Sequence, residues 1–318
     1  MKLLRVKTEL TRSPETAAKF IKRGGIVAFP TETVYGLGAD VFDEKAVAKI
    51  FEAKRRPADN PLIAHIGDLV QIDLLISELP DAARLFIDAF FPGPLTLVLK
   101  KSNRIPLIAT AGLDTIGVRM PGNVLANEFL KSCGVPVAAP SANISGRPSP
   151  TTWEAVYDDL NGRIDCILQG KATVIGLEST VVDCTSGDPA VLRSGAVSIE
   201  SLREIVPSTR LHTPEQNDPA RSPGLRHKHY APNARVVIVD AGFEILASEA
   251  TAYIGIETPN GDPVLVKICV SAEDYAHSFF AFFRECDKQN IKTIYCQAVE
   301  ESGIGAALMD RLRRAESR

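Results

Sequence analysis

The residues best suited to chemistry fall in a few short clusters. Lys54, Arg55 and Arg56 stand side by side where a predicted helix ends at Pro57, with Asn60-Pro61-Leu62 just beyond. Three adjacent cations repel one another, and a polyphosphate would offset that repulsion through charge-assisted hydrogen bonds. A solvated helix end has the same composition, because cations favour that end of the helix dipole. Pro140-Ser141-Ala142-Asn143-Ile144-Ser145-Gly146 directly follows an apolar run over 135–139. Small hydroxyl and amide groups at a strand's end suit an anion or sugar pocket, and equally an ordinary turn. Gly176-Leu177-Glu178-Ser179-Thr180, with Arg193 further on, could present hydroxyls from a strand, although Ser and Thr are common strand residues. His65 alternates with apolar neighbours over 62–66 and by itself reads as a half-buried histidine on a sheet.

Several chemistries are disfavoured by pattern. Gly36-Leu37-Gly38 does not continue into G-x-G-x-x-G, and neither a phosphate loop of the G-x-x-x-x-G-K-[ST] type nor a G-x-S-x-G elbow occurs. The six cysteines (Cys133, Cys166, Cys184, Cys269, Cys286 and Cys296) are scattered without a C-x-x-C pair, as expected of reduced, buried thiols in the cytoplasm. No acidic cluster resembles a dedicated cation cage, so any Mg²⁺ is expected to arrive on a nucleotide's phosphates and no protein metal site is expected. Apolar residues make up 45% and charged residues 24% of 318, the balance of a folded globular chain. Thirty-six Lys and Arg against 39 Asp and Glu give a net charge of −3, so anion binding must be local rather than global. The polar start and the interrupted apolar stretches predict neither a signal peptide nor a membrane span, hence a cytoplasmic protein.

The elements that must position these residues follow from periodicity. Ser13 and Pro14 open a helix that Gly24-Gly25 ends, and residues 26–29 read as a strand leading into a Pro-, Thr- and Gly-rich loop over 30–38. Asp43 caps the helix that ends in the three cations. Strands are expected over 95–100, 117–119, 135–139, 166–168 and 179–183, with helices over 82–90 and 152–160. The order is mixed, so residues 1–205 are expected to form an α/β domain of α+β type, a mixed twisted sheet with helices on its faces. Residues 206–232 carry five prolines and end in a basic stretch that includes Arg226, Lys228 and His229, which predicts a linker able to cover an anionic site. Residues 233–318 then read as a smaller α/β domain with helices over 272–288 and 306–315.

Taken together, these segments resemble the threonylcarbamoyl-AMP synthases, the family built on the YrdC-like domain. The resemblance rests on Phe29-Pro30-Thr31-Glu32-Thr33-Val34-Tyr35-Gly36-Leu37-Gly38, Lys54-x-Arg56 with Asn60-Pro61-Leu62, Pro92-Gly93-Pro94-Leu95-Thr96, Gly117-Val118-Arg119-Met120-Pro121, Ser141-x-Asn143 and Glu178-Ser179-Thr180. The linker and tail are similar to the long, two-domain branch of that family, which implies a YrdC-like catalytic domain and a smaller Rossmann-like one. The resemblance implies a nucleotidyltransferase that joins L-threonine, bicarbonate and ATP into L-threonylcarbamoyladenylate with release of pyrophosphate. Its product would serve a downstream tRNA threonylcarbamoyl transferase, with no need for direct tRNA binding. It implies catalytic roles for Lys54, Arg56, Ser141 and Asn143. ATP would be held by these four with Asn60, Thr115, Ser149, Arg193, His229 and Tyr230. Threonine would be held by Thr33, His65, Arg119, Ser179 and the backbone at Ala139. Two departures fall outside the core motifs: Leu225 and His227 replace an expected Met and Tyr, and Ser194 follows Arg193 in place of proline. Rival readings are a non-enzymatic RNA-binding protein of the same fold, which the net charge disfavours, and carbamoyl transfer to a different amine.

Overall fold

The computed structural model of the chain describes residues 6–212, 231–245 and 250–316. Its larger sheet, eleven-stranded among the described residues, takes up β1 (Glu9–Thr11), β2 (Val27–Phe29), β3 (Gly36–Asp40), β4 (Ile63–His65), β5 (Leu95–Lys100), β6 (Thr115–Arg119), β7 (Val137–Ala139), β8 (Cys166–Leu168), β9 (Thr180–Asp183), β10 (Ala190–Arg193) and β11 (Arg210–Leu211). The order is β1-β8-β2-β3-β7-β4-β6-β5-β9-β10-β11. Parallel pairs such as β4/β6 and β5/β9 alternate with antiparallel ones such as β2/β3 and β4/β7, so the sheet is mixed, as its irregular element order predicts.

The sheet is covered on both faces because its central strands are near-continuous apolar runs whose successive side chains point to opposite faces. On one face Val27, Phe29, Val137, Ala139, Cys166 and Leu168 meet the helices Pro14–Ile21 and Val124–Cys133. On the other, Ala28, Leu37, Ala64, Leu97 and Val118 meet helices that include Glu44–Lys54, Asp81–Phe90 and Trp153–Leu160. The caps are the expected ones. Ser13 Oγ accepts from Thr16 N at 3.1 Å, and Asp43 Oδ1 accepts from Lys45 N and Ala46 N at 3.0 and 3.1 Å.

Two local expectations are corrected. Gly36-Leu37-Gly38 is not loop but the start of β3, paired antiparallel with β2. The glycines are there for close approach: a Cβ on Gly38 would lie 2.4 Å from Val137 Cγ1, and one on Gly36 would lie 3.1 Å from the Phe29 ring. Lys54, Arg55 and Arg56 do not converge either. Arg55 takes the left-handed conformation that ends the helix (φ 53°) and points to solvent, whereas Lys54 belongs to the helix's buried face and is 2% exposed.

A second sheet takes up β12 (Arg235–Val239), β13 (Thr251–Gly255), β14 (Leu265–Ile268) and β15 (Thr293–Gln297) in the order β12-β15-β13-β14, every adjacent pair parallel. The helices Ala272–Lys288 and Ile304–Glu316 bury Phe279, Phe280, Phe283, Leu308 and Leu312 in its core. Val34 and Leu177, from loops of the larger unit, are part of that same core. All six cysteines are buried and unbridged, and burial pushes the Cys133 thiol up to about 12.

Gly38→Ala tests the β2/β3/β7 packing. The added methyl must displace buried Val137, and overpacking of this kind costs about 1–3 kcal/mol. The midpoint of urea unfolding is expected to fall by that equivalent; an unchanged midpoint would show that the close approach is dispensable.

Candidate functional site

The site forms across β2, β4, β6 and β7, where the ends of β2 and β7 lie opposite those of antiparallel β4 and β6. Register decides the grouping: β4 and β6 run parallel with His65 paired to Arg119, and Ile63 pairs with Ala139 across β4 and β7. Residues far apart in sequence therefore come together across neighbouring strands. Beyond β2, Thr31 Oγ1 donates to Val34 O at 2.7 Å and accepts from Thr33 N at 3.1 Å, which closes a turn after Pro30. The loop after β7 locks against it, since Leu37 N donates to Pro140 O and Ala142 N to Tyr35 O.

Arg119 is the centre of one side. It is 4% exposed, and its guanidinium donates to Glu32 Oε1 at 2.7 Å, Thr33 Oγ1 at 2.9 Å and Gly93 O at 3.3 Å. The Pro92-Gly93-Pro94 segment thus braces it from behind, through Gly93 N on Met120 O as well. His65 packs edge-on against Phe29 with centroids 5.7 Å apart, and its Nδ1 lies 3.1 Å from the Ile63 carbonyl. Burial, helped by the nearby Arg119 charge, pushes the imidazole down to about 3, so it is neutral at physiological pH. A neutral ring that donates Nδ1–H to a carbonyl keeps Nε2 as an acceptor.

The other side is built on the Ser141–Ser149 loop. Ser141 Oγ donates to Asn143 Oδ1 at 2.6 Å, and Asn143 Nδ2 donates to the carbonyls of Ile144 and Arg147. Lys54 reaches this loop from behind: its ammonium donates to the carbonyls of Ser141 at 2.5 Å and Asn143 at 2.6 Å. Burial, with Arg56 adding like-charge repulsion, lowers its pKa well below the usual lysine range. Arg56 donates to the carbonyl of Asn60 at 3.0 Å. Ser149 Oγ donates to Glu178 Oε1 at 2.6 Å. Arg193 donates to the carbonyl of Ser179 at 3.0 Å and to its Oγ at 3.1 Å, while that Oγ also lies 2.8 Å from Thr96 Oγ1.

One cavity joins the two sides. Thr33, Arg56, His65, Arg119, Ala139, Ser141, Asn143, Ser149, Ser179 and Arg193 all line it. Lys54, Asn60 and Thr115 do not. Lys54 sits behind the wall, and Asn60 is fully buried with both its amide atoms making no hydrogen bond. Thr115 begins β6, four residues and roughly 13 Å along the strand from Arg119. His229 and Tyr230 lie outside the described residues. Residues not singled out from sequence also line it: Tyr35, Arg147 and Glu178. Tyr35 and Glu178 stood in quoted motifs, yet nothing in their spacing separated them from structural neighbours. Among the described residues no group of three or more His, Cys, Asp and Glu could hold a metal ion, and no helix is long and apolar enough to cross a membrane.

A cavity lined by four arginines, small hydroxyls and one neutral histidine suits a ligand that carries anionic groups. A family model described as telomere recombination matches residues 19–195, and one described as threonylcarbamoyl-AMP synthase, C-terminal domain, matches residues 197–317. The threonylcarbamoyl-AMP synthase of Pyrococcus abyssi is 43% identical over 94% of this chain and 92% of its own length. The chain belongs to the threonylcarbamoyl-AMP synthase family. The Bacillus subtilis member is 38% identical over 96% of this chain and 94% of its own. A crystal structure of P. abyssi Sua5 complexed with L-threonine superposes with a TM-score of 0.89 at 40% identity, covering 98% of this chain and 97% of that one. The likeness to these family members therefore spans both sheets.

The neutral state of His65 has a thermodynamic consequence. Between pH 6.5 and about 3 the unfolded chain binds a proton at this position that the folded chain does not, so folding stability falls as the pH falls through that window. The contribution is a slope of up to about 1.4 kcal/mol per pH unit. His65→Gln is expected to flatten the pH dependence of urea unfolding between pH 4 and 6 by up to that slope. An unaltered slope would show that His65 is protonated in the native state.

Proposed function

We propose that this chain makes L-threonylcarbamoyladenylate from L-threonine, bicarbonate and ATP, releasing pyrophosphate, in the cavity between the Arg119 and Ser141–Ser149 sides. The observation that carries the reading is the adjacency of two different subsites in one cavity. One holds a braced guanidinium, Arg119, beside Thr33, His65 and Ser179; the other holds Arg56, Ser141, Asn143, Ser149 and Arg193. Family membership supplies the reaction, and the crystallographic relative is complexed with L-threonine.

In this reading Arg119 takes the threonine carboxylate, with the hydroxyls of Thr33 and Ser179 and Nε2 of His65 available to the amine and side-chain hydroxyl. The neutral amine and bicarbonate give a carbamate and water. A carbamate oxygen then attacks the α-phosphorus, and the bond to pyrophosphate breaks. The carbamate decomposes in water, so positioning and water exclusion dominate over acid and base groups. Arg56 and Arg193 would neutralise phosphate charge as it moves to the leaving pyrophosphate. Lys54 supports this indirectly, by holding the Ser141 and Asn143 carbonyls so that their side chains face the nucleotide, and Asn60 by holding Arg56. Mg²⁺ enters on the triphosphate, where it would balance charge. The labile adenylate passes to a separate enzyme that modifies tRNA.

We read residues 1–205 as the catalytic unit, 206–232 as the connection and 233–318 as a smaller unit whose all-parallel sheet is Rossmann-like.

The test is pyrophosphate release by the purified chain with ATP, Mg²⁺ and bicarbonate, with and without L-threonine. Threonine-dependent release is expected. Arg119→Lys, which keeps the charge but not the fork, is expected to raise KM for threonine at least tenfold and leave KM for ATP within twofold. Release that ignores threonine, or an equal effect on both substrates, would sink the assignment.

A further inference from the structure

The two units meet at the back of the cavity, and beside the apolar contact of Val34 and Leu177 the meeting has a buried polar part. Arg311, from the last helix of the smaller unit, is 0% exposed, and its Nε donates to Glu178 Oε2 at 3.2 Å. The other oxygen of Glu178 accepts from Ser149 Oγ at 2.6 Å. A guanidinium of the smaller unit thus reaches a cavity-lining serine through one carboxylate. Arg284, from the preceding helix, grips the same loop from a second direction. Its Nη2 donates to Pro148 O at 2.5 Å and to Asp159 Oδ2 at 3.0 Å, and Asp159 in turn holds Arg147 and the backbone N–H of Ile144.

The strand entry that carries Glu178 is fixed from that side as well. Leu177 is buried in the smaller unit's core. Gly176 (φ 83°) lies so close to the helix Ala272–Lys288 that a Cβ there would come within 2.6 Å of the Ala276 carbonyl and His277 Cα. Glu178 therefore has little freedom to find another partner. Its two oxygens divide between one donor from each unit.

We infer that Arg311 is a positioning residue: through Glu178 it fixes Ser149 for the nucleotide, so that the smaller unit completes the ATP side of the cavity. Ordering of Ser149 is a local effect, so it is expected to change nucleotide affinity and leave the Arg119 side unaffected. The inference rests on the placement of the nucleotide beside Ser149 proposed above.

The experiment uses the full chain and calorimetric titration with a non-hydrolysable ATP analogue and, separately, L-threonine. Arg311→Met is expected to weaken the analogue about tenfold and threonine less than twofold, and Arg311→Lys, which restores the charge, to weaken the analogue about threefold. In a Ser149→Ala background either change is expected to add less than twofold. Equal weakening in both backgrounds overturns the inference, as does a lowered melting temperature with unaltered affinities, or a matched loss for both ligands. If Arg311→Met does not fold, Arg311→Lys decides by the same criteria in both backgrounds. The reading of the reaction fails separately: wild type that binds the analogue but releases no threonine-dependent pyrophosphate sinks that reading and leaves this comparison intact. Wild type that binds no analogue overturns both.

Discussion

Burying a cation is costly unless carboxylates or carbonyls replace its water, and among the described residues four are buried: Lys54, Arg119, Arg193 and Arg311, all 7% exposed or less. Each is compensated by a different part of the chain. Lys54 is held by the carbonyls of the Ser141–Ser149 loop, Arg119 by Glu32 and the Gly93 carbonyl, Arg193 by Ser179, and Arg311 by Glu178. Arg311 is also paired with Asp310 of its own helix, but each of the four bonds at least one other element and so tethers two segments. The cavity is the space those tethers enclose.

The same requirement explains why the site is ordered in advance of its substrates. Hydroxyls and amides that would face ligand are already bonded to one another, as in the Thr31/Thr33 and Ser141/Asn143 pairs. Such pairs limit the rotamers that binding must freeze, and so limit the entropy it costs. For a reaction through a carbamate that decomposes in water, fixed geometry contributes more than a titrating side chain would. The neutral His65 fits that economy of proton chemistry: it supplies an acceptor without a charge to repel Arg119.

The smaller unit enters the same network instead of standing apart from it. Apolar contact through Val34 and Leu177 places it, and the polar contacts of Arg284 and Arg311 orient the loops behind the cavity. An apolar seam tolerates small shifts, whereas a shared carboxylate does not, because its hydrogen bonds weaken steeply with angle and distance.

Local signals in the sequence determined much of this. Ser13 and Asp43 as caps, the apolar runs that became β5, β6 and β8, the helix Ala272–Lys288 and the motif strings of the family are legible because caps, periodicity and turn chemistry act over a few residues. What escaped depends on partners remote in sequence. Gly36 and Gly38 look like loop residues until Phe29 and Val137 press on them, and three adjacent cations look like one cluster until the left-handed Arg55 sends them different ways. Nothing near Arg311 marks it as more than a surface arginine on an amphipathic helix; only the packing of two units gives it Glu178, 133 positions away in the chain. Strand register likewise is a tertiary outcome, and it alone set His65 beside Arg119.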